Sequence, residues 1–304
     1  MNGMSRPIVV AEMGVFPSLG NPPGKTWEAP AVSCAMQNTL VPPLSYKGLS
    51  VKAHGRSVPK DDVGGDLVDL VVDGQEVTAY VADVSGHGLR AGILMGMIKT
   101  AMRYGLLLGQ PLTKLLGDLN HVLPNVKEPH MFATLAALRF DRGNHVEYVS
   151  VGHVPLIHYR QGSREVVRYF TSQFPLGLFA GDEYKSGQIQ YEPGDIFALV
   201  TDGVLETDEN YDQDLGFKRL AQILRDLSGH PLSDILEAIY DGLTRNRRQD
   251  DDQTVLLVRA VEDSDANAQR VTSKQDREVA NDTQLVEAKW RNLLEDLAEE
   301  LSRD

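Results

Sequence analysis

Six aspartates carry the chemical signal of this chain: Asp66, Asp83, Asp202 and the run Asp250-Asp251-Asp252, each where an apolar segment meets a turn. Asp66 and Asp83 lie within Val63–Gly88, VGGDLVDLVVDGQEVTAYVADVSGHG, on either side of an Asp73-Gly74 pair. Asp-Gly between two β-branched apolar runs signals a tight hairpin. The hairpin predicts that Asp66 and Asp83 lie on neighbouring strands near one sheet edge. Asp202 ends the apolar run Ile196–Thr201, with Gly203 next to permit a sharp exit from the strand. Asp250, Asp251 and Asp252 stand at the mouth of a second such run, Val255–Val258. Two carboxylates about 4 Å apart repel by roughly 4 kcal/mol at an effective dielectric of 20. A chain that gathers several therefore implies a cation. An all-carboxylate set without Cys or clustered His favours Mg²⁺ or Mn²⁺ over a structural zinc.

The elements GGDLVD, ADVSGHG, TDGVLE and DDQT occur in that order, with QNTLVPP, VGHVPLIHY and FPLGL at intermediate positions. Together they resemble the metal-dependent protein phosphatases (PPM family), and within them the bacterial SpoIIE-type branch that includes phosphatases of sigma-factor partner switching. The resemblance runs from about Gln37 to Ala260. It implies two Mn²⁺ or Mg²⁺ ions, with Asp83 bridging both and the Val84 carbonyl completing one coordination shell. It assigns Asp202 and Asp251 to the second ion, and Asp66 to a metal directly or through water. Asp251 is chosen within the acidic run because the family's ligand lies three residues before the Thr, here Thr254. Asp252 then takes a place often filled by Asn, and Asp250 faces solvent. Gly64, Gly65, Gly86 and Gly88 are expected to let backbone approach the ions. A pair of ions of this kind activates water for in-line attack on phosphorus. In the type 2C relatives a His two residues after the bridging Asp is a proposed general acid. Here that place holds Ser85, and His87 is the candidate catalytic acid beside Asp66 and Asp83.

The elements that must position these acids follow from periodicity and turn chemistry. Strands are expected near Leu49–Arg56, Leu67–Val72, Val77–Val84, Phe132–Phe140, His145–Val151, Pro155–Tyr159, Glu165–Phe170, Gln188–Tyr191 and Ile196–Thr201, before a last one over Val255–Val258. Helices are expected over Leu89–Leu108, with Ile93, Met97, Ile98, Ala101 and Leu108 as the apolar face, and over Pro111–Val122, Phe217–Leu227 and Leu232–Asn246. Strands joined by short turns, with helices arriving in pairs, argue antiparallel sheets rather than βαβ units. The predicted fold is α+β: an αββα sandwich of two antiparallel sheets flanked by helices, with the metal site at one end.

Three regions are expected. Residues 1–44 form an irregular leader with a short helix over Ala31–Leu40, residues 45–261 the catalytic domain, and residues 262–304 an acidic linker and an amphipathic helix over Asp282–Ser302. Val286, Trp290, Leu293, Leu294, Leu297 and Leu301 make the stripe of that last helix. Either terminal helix could serve an activator or self-association. In the resembling phosphatases a helix at the first position carries the activating switch.

A formal net charge of −13 argues against nucleic acid as partner, and no apolar run is long enough to span a bilayer. One cysteine, Cys34, excludes an intrachain disulfide and fits a reducing cytoplasm. With no Cys-x5-Arg pocket, a cysteine nucleophile is not indicated. The expected partner, by family analogy, is a phosphorylated regulatory protein such as an anti-sigma-factor antagonist of STAS type. The rival readings are a non-catalytic binding module on the same fold and an enzyme latent until a partner moves a terminal helix. Several neighbours carry ordinary structural readings: Asp69 as a turn cap rather than an ion contact, His153 and His158 as packing or edge residues, and Glu206 as a loop-orienting acceptor. Arg56 and Arg245–Arg248 complement helix ends rather than a phosphoprotein.

Overall fold

The computed structural model describes residues 36–262, apart from 49, 75, 142–143, 180, 182, 207–212 and 245–248. The leader, the first half of the Ala31–Leu40 helix, the Arg245–Arg248 cluster and the helix at Asp282–Ser302 lie outside the described residues. Among those described, no helix is long and apolar enough to cross a membrane.

Among the described residues eleven strands form two sheets, and every pairing between them is antiparallel. One sheet has the order β1-β2-β11-β10-β7-β8, built from Leu44–Lys47, Val51–Val58, Gln253–Ala260, Ile196–Val200, Leu156–Arg160 and Glu165–Tyr169. The other has the order β3-β4-β5-β6-β9, built from Leu67–Asp73, Glu76–Val84, Ala133–Phe140, His145–Val151 and Gly187–Gln190. Helix α1 covers residues 36–40, and α2 (Leu89–Leu107) and α3 (Leu112–Val122) follow β4. Helices α4 (Asp202–Leu205), α5 (Gln213–Leu227) and α6 (Leu232–Thr244) lie between β10 and β11. This is the αββα sandwich that the turn pattern predicts.

Alternation along the central strands shows why both faces are apolar. On β11, Val255 and Leu257 join the cluster of Phe217, Leu224, Ile235 and Ile239 from α5 and α6. Leu256 and Val258 turn the other way, into the core shared by both sheets. There Phe140 meets Phe197 edge-on at 5.5 Å and Tyr191 at 5.6 Å. Each such aromatic contact adds about 0.5–1.5 kcal/mol beyond the area it buries.

Some local expectations need correction. In the β3–β4 hairpin Asp73 pairs with Glu76, so Asp73 belongs to the strand and the loop begins at Gly74. Gly74 takes the first loop position at φ 62°, where a side chain would be strained. Strand β1 escapes prediction because four residues wedged between Pro43 and Gly48 are too few to show alternation. The one-turn α4 hides behind the Asp202-Gly203 strand exit. The largest correction is the buried face of α2. That face is Ala91, Leu94, Met95, Ile98, Met102 and Leu106, whereas Ile93, Met97 and Leu108 are exposed. Large apolar residues also stand on its exposed side, so its periodicity alone does not select the buried one.

Candidate active site

The register of β3 and β4 brings the first two acids together. Leu67 pairs with Ala82, so one step further along the hairpin Asp66 comes abreast of Asp83. The other two come from the facing sheet. Asp202 opens α4 directly after Thr201, and Asp251 lies just ahead of β11, whose Val255 pairs with Val200. Four predicted site residues from distant parts of the chain thus meet at one end of the sandwich. Asp66 is buried, Asp83 and Asp202 are partly exposed, and Asp251 is exposed.

Two polar links tie the sheets together here. Thr201 Oγ1 donates to Asp66 Oδ2 at 2.8 Å and itself accepts from Thr254 N at 3.0 Å. Asp252 crosses the same gap. Its Oδ2 accepts from Gly65 N at 2.7 Å and from Asp66 N at 3.4 Å, while its Oδ1 accepts from Lys60 N at 2.7 Å. Sequence reasoning set Asp252 aside in favour of Asp251. It is instead a buried clamp on the GGD loop, and parity is the signal that finds it: Asp252 shares a strand face with Thr254 and Leu256. Asp251 Oδ1 accepts from Asp252 N, and Asp202 Oδ1 accepts from Gly203 N, both at 2.8 Å.

Glycines open the space. A Cβ on Gly65 would stand 2.7 Å from the Val84 carbonyl oxygen, and one on Gly203 would collide with the Asp252 carbonyl. Only backbone fits at either point, and the Val84 carbonyl is left facing Gly65 rather than a side chain.

Electrostatics distinguish this cluster from ordinary ion pairs. Burial raises the Asp66 carboxyl well above its usual range, and the Asp83 and Asp252 charges add to the effect. Asp83 is pushed up to about 7, first by burial and then by Asp202, Asp251 and Asp252. Asp202 is raised by burial, by Asp251 and by Glu206. Asp66, Asp83 and Asp202 are costly to ionise, first through burial and then through neighbouring carboxylates, the condition that a multivalent cation relieves. The donor set of carboxylates plus a backbone carbonyl suits a hard divalent ion. The acids are nonetheless arranged openly: among the described residues no three His, Cys, Asp or Glu side chains close around a single point.

The remaining candidates divide. His87 stands on the exposed rim with Nδ1 2.6 Å from Asp61 Oδ2. Ser85, at the position of the type 2C histidine, is tied to β5: its Oγ accepts from Phe132 N at 2.9 Å. Asp69 belongs to a structural network, accepting Arg103 Nε and Nη2 at 2.6 Å each and the Tyr80 hydroxyl at 2.7 Å. Buried His158 pairs with Asp195 at 2.8 Å and stacks on Phe197. Glu206 accepts from Gln213 at 2.5 Å, and Asp250 is exposed. Arg56 pairs with Glu237 at 2.9 Å and lies over the Tyr240 ring, so α6 accounts for it.

Comparison with known proteins agrees with this fold. The sequence profile of the family described as Stage II sporulation protein E (SpoIIE) matches residues 73–261, which take in Asp83, Val84, His87, Asp202 and Asp251 and begin after Asp66. The phosphoserine phosphatase RsbU of Bacillus subtilis (strain 168) is 29% identical over 235 residues, covering 75% of this chain and 69% of that protein. The crystal structure of the RsbU and RsbW domains of a Mycobacterium tuberculosis protein superposes with a TM-score of 0.64 at 21% identity, over 70% of this chain and 60% of that one. The catalytic domain of the serine/threonine protein phosphatase PstP, solved with two manganese ions, gives a TM-score of 0.55 at 17% identity, over 71% of this chain and all of that one. With the profile covering more than half of its length, the chain belongs to the SpoIIE family.

Proposed function

We propose that this chain is a divalent-metal-dependent protein phosphatase that hydrolyses phosphoserine or phosphothreonine on a regulatory protein. The observation that carries the reading is the convergence of Asp66, Asp83, Asp202 and Asp251, from two sheets, into one cluster running from buried Asp66 to exposed Asp251, in which the carboxylates raise one another's cost of ionisation at Asp66, Asp83 and Asp202. The phosphoserine phosphatase activity named for its relative RsbU supports it. The two manganese ions in the PstP structure support a pair of Mn²⁺ or Mg²⁺ ions as cofactors. Residues 45–261 are taken as the phosphatase domain, working in the cytoplasm. An anti-sigma-factor antagonist of STAS type is the substrate class in keeping with RsbU-type relatives.

Asp66, Asp83 and the Val84 carbonyl would hold one ion, and Asp83, Asp202 and Asp251 the other. Bound there, the cations lower the pKa of water and neutralise charge on phosphoryl oxygens. The chain's own residues do the rest. Thr201 takes one oxygen of Asp66 and orients the other. Asp252 keeps the Gly64-Gly65-Asp66 loop seated. His87, held through Nδ1 by Asp61, presents Nε2 as the proton donor to a departing serine oxygen.

The test is phosphate release from p-nitrophenyl phosphate and from a phosphorylated STAS-type protein, with and without Mn²⁺. Metal-dependent turnover that Asp83→Asn and Asp202→Asn each reduce at least 100-fold is the expected result. A folded wild-type chain that binds Mn²⁺ but hydrolyses neither substrate would overturn the enzymatic reading in favour of a binding module.

A further inference from the structure

We infer that His153 is a positioning residue: a strut between the two sheets that sets the spacing of Asp83 against Asp202. It lies in the connection from β6 to β7, where the chain leaves one sheet for the other. Its Nδ1 is 2.7 Å from Thr134 Oγ1, and its Nε2 is 3.0 Å from the Val200 carbonyl oxygen. These two partners are informative. Thr134 is the cross-strand partner of Asp83 in the β4–β5 ladder. Val200 ends β10, two residues before Asp202. One imidazole therefore connects the strand neighbour of one candidate ligand to the strand that delivers another.

The chemistry fixes the ring's state. A carbonyl oxygen only accepts, so Nε2 carries the hydrogen and Nδ1 accepts from the Thr134 hydroxyl. Burial outweighs the favourable contact with the Val200 carbonyl and lowers the ring to about 4, so it stays neutral at physiological pH. Both nitrogens are then engaged in one tautomer, with neither left over for a metal. A planar ring held at both ends resists compression and separation of the sheets better than a flexible side chain. Groups hydrogen-bonded directly to metal ligands commonly change metal affinity by about 10- to 100-fold when removed; His153 acts one step further back, through Thr134 and the Val200 carbonyl, so its effect belongs at the lower end of that range.

The inference rests on the reading of Asp83 and Asp202 as metal carriers, and the experiment separates the two. Mn²⁺ binding is measured by calorimetry on the full chain for wild type, His153→Leu, His153→Gln and Thr134→Val, alongside thermal melts of the metal-free proteins. Imidazole ¹⁵N NMR reports the tautomer. The expected result is a neutral Nε2–H ring and about 10-fold weaker Mn²⁺ binding in folded His153→Leu. His153→Gln, which keeps one donor and one acceptor, should recover most of that affinity. Thr134→Val, which removes one end of the strut, should cost about 3-fold by the same mechanism. Should His153→Leu fail to fold, Thr134→Val decides alone. Unchanged Mn²⁺ affinity in a folded strut variant, with wild type binding normally, overturns the strut and leaves the site standing. A wild type that binds no Mn²⁺ overturns both.

Discussion

Asp66 and Asp69 are three residues apart and both buried, at 1% and 3% exposure, yet they live in opposite electrostatic worlds. Strand alternation turns Asp69 toward the helices, where Arg103 grips both oxygens, Tyr80 donates, and Lys99 stands 3.6 Å away. The same alternation turns Asp66 between the sheets, where Thr201 donates to it and the charges that act on it are those of other carboxylates. The chain can plainly supply cations to a buried acid, and it does so at Asp69. At Asp66 it supplies more negative charge instead. Burial of an acid is therefore no sign of function by itself. The sign is burial in which the chain leaves neutralisation to something from outside.

That contrast can be broken most severely by exchanging the acids for neutral groups. Asp69→Ala should destabilise the fold by about 3 kcal/mol, because it leaves Lys99 and Arg103 facing each other without their counter-charge. Urea unfolding would read this as a lower midpoint, with Mn²⁺ affinity of the folded fraction unchanged. Asp66→Asn should do the reverse, stabilising the metal-free protein while weakening Mn²⁺ binding. If Asp66→Asn cost as much stability as Asp69→Ala, the two acids would be structural alike and the contrast would collapse.

A pH series sharpens it next. A carboxyl whose folded pKa is raised binds its proton more tightly in the folded state. The stability this confers is complete below the unfolded value near 3.8 and is lost as pH rises through about 7 for Asp83. Metal-free protein should therefore lose stability between pH 5 and 7.5, at no more than about 1.4 kcal/mol per pH unit for this one proton. Saturating Mn²⁺ should flatten the decline, because the cation replaces the proton. A flat metal-free profile in calorimetric melts would mean that neither burial nor the neighbouring carboxylates raise Asp83.

The smallest effect concerns the clamp. Asp252→Asn keeps one acceptor oxygen for three backbone N–H groups and turns an amide donor toward the rest, at a cost of about 1–2 kcal/mol in denaturant unfolding. No loss at all would mean that the GGD loop holds its shape without that carboxylate.

Much of this was legible in the residues, and the limits are specific. The Asp73-Gly74 signal located the hairpin and brought Asp66 beside Asp83, although the loop itself begins one residue later. Strand ends at Val200 and Gln253 carried Asp202 and Asp251 toward the same place. A run of three aspartates conceals which member points inward until the parity of Thr254 and Leu256 is followed back to Asp252. Asp69 could not be separated from a site acid by residue type, since its answer, Arg103, lies 34 residues away on α2. The face of α2 was unreadable for a different reason. Exposed Leu89, Ile93, Met97 and Tyr104 put large apolar side chains on its outer side as well, beside Arg90 and Thr100.

The placement of β11 bears on the making of the protein. Among the described residues it is the last strand in sequence, yet it lies in the interior of its sheet, bonded to β2 on one side and β10 on the other. During synthesis β2 and β10 must wait with bare edges until residue 260 has cleared the ribosome. Such edges recruit other chains if left open long. Asp251 and Asp252 arrive on that same strand's threshold. The acid cluster is thus completed by the same event that closes the sheet, so site and scaffold are finished together.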